Sequence, residues 1–126
     1  MKEGMKIGLI LTLVGVGLMG VYRYASAHGK KSEDVIEFRK SIYHIVGWHM
    51  APLGAMMKGE MPFDKDLFAK NATVIEQMSK IAPDSFLEGS DKGKTKAKPE
   101  IWKDKAKFNE AMQRFQTEAA KLARVA

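Results

Sequence analysis

Residues 32–61 read SEDVIEFRKSIYHIVGWHMAPLGAMMKGEM, and their apolar members fall on one side of a helix that an arginine interrupts. At about 100° per residue, Val35, Ile42, Val46, Leu53 and Met57 lie within about 60° of one another, and Arg39 points the same way. A permanent cation in an apolar seam calls for an anionic partner, because an unpaired guanidinium there would cost several kcal/mol, about the scale of a small domain's whole net stability. What sits opposite Arg39 is therefore the question the sequence poses.

Outward from this stretch the chain reads as all-α. Ser32 followed by Glu33 and Asp34 predicts a capped helix start, Gly59 a stop after Lys58, and Pro52 a kink or division between them. Pro62 and Asp64 open a second amphipathic helix, with Leu67, Val74, Ile75, Met78 and Ile81 on its stripe, and Ala82-Pro83 ends it. Residues 84–98 carry two glycines, Gly89 and Gly93, and no helical period, a connection long enough to suggest a functional loop. Pro99 and Glu100 begin a third helix whose stripe, Ile101, Phe108, Met112, Phe115, Ala119 and Leu122, is a bundle seam. No alternating strand pattern is found.

The chain has 126 residues, a formal charge of +6 and no cysteine, which suits one small domain and excludes disulfides and thiolate metal sites. Its lysines alternate with acids on helical segments, the pattern of a solvated surface; no basic patch interleaved with aromatics points to nucleic acid. Residues 1–27 stand apart: Lys2 and Lys6, an apolar run from Ile7 to Tyr22, then Ala25-Ser26-Ala27. That order predicts a secretory signal and an exported, periplasmic product, with an uncleaved inner-membrane anchor as the alternative. Residues 28–126 are the expected domain, with a formal charge of +4 once Lys2, Lys6, Arg23 and Glu3 are removed.

The stretch Glu33-Asp34-Val35-Ile36-Glu37-Phe38-Arg39-Lys40, then Gly47, then Met57-Lys58-Gly59-Glu60 with Pro62-Phe63-Asp64, resembles the opening half of a cytochrome c-prime, a class II c-type cytochrome. Lys98-Pro99-Glu100-Ile101-Trp102, with Phe108, Phe115 and Ala119-Ala120-Lys121-Leu122, resembles that family's third helix. The resemblance implies an antiparallel bundle of the four-helix type, truncated here before the fourth helix. It also implies export to the periplasm and a homodimer formed through the first two helices. Its cofactor is haem c, which the family holds through a Cys-x-x-Cys-His motif on the fourth helix. This chain has no cysteine, so covalent attachment is impossible in it. The family role is haem binding with electron transfer, or binding of a small gas (NO or CO) at the iron.

Residue by residue, the resemblance places Arg39 beside the haem propionates, Lys40 where the family has glutamine, and Tyr43 at the distal position facing iron. Phe86 and Gly89-Ser90-Asp91 match the loop passing the haem edge. Without the resemblance, Arg39 reads as a salt bridge to a carboxylate on a neighbouring helix. His44 and His49 lie about 140° apart on one helix and cannot share a metal; His49 reads as a hydrogen-bonded core residue and is the internal candidate for an iron ligand. Met50, Met56, Met57 and Met61 admit a copper(I) reading, although methionine at helical spacing usually fills a core. Gly47 and Gly54 let another backbone approach. No nucleophile with its base, paired carboxylates in a cleft or phosphate-cradling loop appears, and no enzyme is expected. The alternative function is a haem-free helical module that pairs with itself or with a partner helix.

Overall fold

The structure, a computed structural model, describes residues 31–126, and the expected signal or anchor segment lies outside them. Helix α1 spans Ser32–Met57 and α2 spans Lys65–Ile81. A 3-10 turn follows at Ala82–Ser85, then a single helical turn α3 (Glu100–Lys103) and the long α4 (Lys105–Val125). Among the described residues there is no strand.

The cap of α1 departs from expectation. Lys31 takes the cap position, and Ser32 already lies in the first turn. Its hydroxyl stands 2.9 Å from the Gly89 carbonyl oxygen and 3.1 Å from that of Lys92, so it ties the helix start to the distant loop. Pro52 does not divide the helix, which is continuous. The backbone bond that proline removes is the one to the carbonyl of Trp48, a residue 73 % exposed and so on the solvent side of the helix. At the other end, Glu60 N–H donates to Ala55 O (2.9 Å) and Gly59 N–H to Met56 O (3.2 Å). That reversal needs the left-handed backbone of Gly59, at φ +74°. The seam in this last turn runs through Leu53 and Met56; Met57 is 80 % exposed, a correction to the expected stripe.

Asp64 accepts from Leu67 N–H at 2.9 Å and caps α2. The third predicted helix is interrupted: Asp104, at φ −118° and ψ 73°, separates α3 from α4. Its carboxylate takes Lys107 N–H at 3.0 Å, so a side chain that could have continued a helix starts a new one.

Two clusters make the core. Leu53, Ile75 and Ala119 pack with Phe68, Phe115 and Leu122. Ile42, Ala82 and Met112 pack with Met78, Phe86, Phe108 and Phe115. Helix α2 is the central element, with extensive seams to both α1 and α4, and Gln116 Nε2–H donates to Ser79 O across the second of them. No comparable seam joins α1 to α4. A groove runs between them.

Candidate functional site

Arg39 sits on the inward face of α1 and is buried, at 5 % exposure. Its guanidinium meets no carboxylate: Arg39 takes part in none of the ion pairs among the described residues. Nη1 donates to Ser85 O (2.8 Å) and Ser90 Oγ (3.1 Å), and Nη2 donates to Ser90 O and Thr95 Oγ1 (2.9 Å each). The expected anion is replaced by four neutral acceptors on the 85–95 loop. Irregular backbone has spare carbonyls, and their dipoles can solvate a delocalised cation without a formal counter-charge.

Aromatic faces complete the enclosure. The guanidinium carbon lies 5.0 Å from the centroid of Phe86 and 5.5 Å from that of Trp102, within cation–π range. Phe86 also packs against Phe108 at 4.8 Å and edge-on to Tyr43 at 6.2 Å. Trp102 Nε1–H donates to Leu87 O (3.1 Å), and Ser90 Oγ–H donates to the same carbonyl (2.7 Å). Gly93 brings the loop over α1: at φ +125°, a Cβ there would stand 3.0 Å from Ile36 Cδ1. Burial lowers the Arg39 pKa from its ordinary value, with Tyr43 opposing. Burial likewise raises the Tyr43 phenol, the Arg39 charge opposing, so at neutral pH the hydroxyl keeps its proton.

The groove consists of three adjoining hollows. One of about 350 Å³ lies over Tyr43, Val46, Phe86, Met112 and Phe115. A second of about 290 Å³ lies over Ile101, Phe108 and Ala111, with Glu100, Asp104 and Lys107 also lining it. The third, about 280 Å³, opens at Arg39, Lys40, Thr95, Lys96 and Ala97. Together they offer apolar walls and a basic end, dimensions in the range of ligand pockets.

The structure brings Arg39, Lys40, Tyr43 and Phe86 together at this third hollow. Ser90 faces Arg39 from below the rim and is buried, so it supports the guanidinium rather than lining the space. Asp91 is half-buried and pairs with no cation among the described residues. Lys40 is exposed and pairs with Glu37 at 2.7 Å. His49 stands apart, with Nδ1 2.7 Å from Asn71 Oδ1, whose amide donates to Leu67 O. An amide oxygen only accepts, so Nδ1 carries the proton; the ring is hydrogen-bonded and half-buried, outside the two core clusters. It is not among the residues lining the three hollows. His44 lies on the far side of α1, in a separate shallow hollow with Ser41 and Ile45. A Cβ added at Gly47 or Gly54 would have nothing within 4 Å, so no backbone of the described residues approaches them.

Sequence reasoning does not single out Thr95, Lys96, Ile101 or Trp102 as site residues. Loop residues carry no periodic signal, and only the hydroxyls of Ser90 and Thr95, set among glycines, hint at acceptors for a buried cation.

The family model described as Cytochrome C' matches residues 34–126. The cytochrome c' of Rubrivivax gelatinosus is 36 % identical over 94 residues, 74 % of this chain and 73 % of that protein. The solved cytochrome c prime of Shewanella frigidimarina superposes with a TM-score of 0.74 at 40 % identity, covering 76 % of this chain and 75 % of that one. A nitric oxide complex of a cytochrome c prime variant from Alcaligenes xylosoxidans gives 0.70 at 30 % identity, over 76 % and 75 % of the two chains.

Proposed function

The chain belongs to the cytochrome c' family, and on that premise we propose that the α1–α4 groove seats a haem, with electron transfer or small-gas binding as the protein's role. The observation that carries this is the groove itself, apolar along Tyr43, Val46, Phe108, Met112 and Phe115 and basic at the end where Arg39, Lys40 and Lys96 stand. These residues fit a flat apolar macrocycle with acidic groups on one edge. The donor set is less complete: no cysteine exists in the 126 residues to form a thioether, and Met112 supplies the only thioether among the lining side chains, with no imidazole.

Bound haem supplies a one-electron couple and an iron site for small neutral ligands. The chain's own residues do the rest. Phe86, Ile101, Phe108 and Phe115 line the groove and would shield a seated macrocycle from water, and the basic end would orient its acidic groups. Tyr43, with its phenol held protonated, presents an uncharged donor on the α1 side. The nitric oxide complex of the Alcaligenes relative supports the gas-binding half of this reading. The role asks for no catalytic group, and we place none here. We further propose that the protein works in the periplasm, as a homodimer through α1 and α2; exposed Phe38, Ile45, Trp48 and Phe63 support the second point.

The experiment is a haemin titration of the purified chain followed by acidified-solvent extraction. A Soret band that forms at about one equivalent and is then wholly extracted supports non-covalent seating. No band at any ratio sinks the haem reading. It would leave the second reading, a helical interaction module, which the uncovered Gly47–Gly54 strip favours.

A further inference from the structure

The bond inventory around Arg39 divides the basic end of the groove into two kinds of cation. A guanidinium has five N–H groups, and the four on Arg39's terminal nitrogens are all taken by Ser85, Ser90 and Thr95. Both ring faces that flank it are protein as well. With only the Nε–H left over, a carboxylate wanting a two-pronged contact would have to displace at least one of these acceptors and disturb the loop. Lys96 is the opposite case. It lies one residue beyond Thr95, is exposed at the mouth of the third hollow, and has no ion pair among the described residues. Lys40, across the same mouth on α1, is held only by Glu37, and both partners are largely exposed. Such a pair is worth little and is easily exchanged for another anion.

We propose that Lys96, with Lys40, receives the carboxylates of the ligand seated in the groove, and that Arg39 is a positioning residue that holds the 85–97 loop so that Lys96 stands at the rim. This rests on the reading of the groove as a porphyrin site and goes beyond it in assigning the charge recognition to a loop lysine. Thr95 couples the two roles: its Oγ1 accepts from Arg39 Nη2 and from Ala97 N–H (3.1 Å), fixing the backbone on both sides of Lys96.

The test uses metal-free protoporphyrin IX, which asks nothing of an axial ligand, and its dimethyl ester, followed by fluorescence titration of the full chain. The wild type is expected to prefer the diacid. Lys96→Ala lowers diacid affinity about three- to five-fold, the scale of an exposed charge contact. The same variant leaves the ester unchanged, and Lys96→Arg restores the preference. Arg39→Lys weakens diacid and ester alike and speeds amide hydrogen exchange across residues 86–97 in the ligand-free protein. An unaltered diacid-to-ester ratio in Lys96→Ala overturns the proposal while leaving the groove reading intact. Selective loss of diacid binding in Arg39→Lys, with loop exchange unchanged, overturns it too. Failure of both porphyrins to bind the wild type overturns the groove reading and this inference with it.

Discussion

Arg39 shows how a buried charge can be stabilised without a counter-charge, and it makes the sharpest prediction at the scale of one residue. Arg39→Met would keep the apolar stem but leave the Ser85 and Ser90 carbonyls and the Thr95 hydroxyl facing a thioether. Stripping charge-assisted bonds of this kind costs about 3 kcal/mol, to be read from the shift of the urea midpoint at unchanged slope. Gly93→Ala would strain a positive-φ position and push on Ile36; a loss of about 1–2 kcal/mol is expected in the same assay. Tyr43 gives a pH dependence. Its phenol titrates higher in the folded chain than in the unfolded one, so above about pH 10 the unfolded chain releases its proton first. Stability therefore falls as pH rises from about 10 through the folded pKa, and the fall is shallower in Tyr43→Phe. That Arg39 is buried and important can be read from its place on the stripe. Its acceptors are less legible: the Ser90 and Thr95 hydroxyls leave a hint, but the other two are main-chain carbonyls of Ser85 and Ser90, which look alike in a sequence whatever the side chains above them.

Among the elements, the helices are legible wherever a periodic stripe has a clear cap and stop. Asp64 and Gly59 behave as their chemistry dictates, at φ +74° in the second case. The departures come from side chains with two good partners. Ser32 bonds to the loop rather than to its own helix, and Asp104 caps a new helix inside what reads as one continuous stripe. Because the stripe keeps its phase from Ile101 to Phe108, periodicity alone gives no sign of the break. Asp104→Ala should cost about 1 kcal/mol, a drop of several degrees in Tm for a domain of this size, measured by circular dichroism. The groove is legible only through the family resemblance, since no local pattern says which two helices fail to meet.

At the scale of the molecule, three long helices bury two small clusters and leave a third surface open between α1 and α4. No helix of the described residues is long and apolar enough to cross a membrane. A ligand that occupies the open surface binds the folded chain and not the unfolded one, so it must raise Tm. At a free concentration about 100 times its Kd, haemin is expected to add about 2.7 kcal/mol, roughly 10 °C or more here. A melt unmoved by excess haemin would mean that the open surface takes no such ligand.

The two indoles of the chain occupy contrasting surroundings, and this gives the protein a built-in optical gauge. Trp48 is bathed in solvent, whereas the ring of Trp102 is half-covered, tilted against Phe86 and tethered to a carbonyl beside a fixed positive charge. Emission from the first should be red and open to acrylamide; emission from the second should be bluer and shielded. Replacing Trp48 with phenylalanine would therefore leave a single reporter whose colour and quenching follow the loop alone.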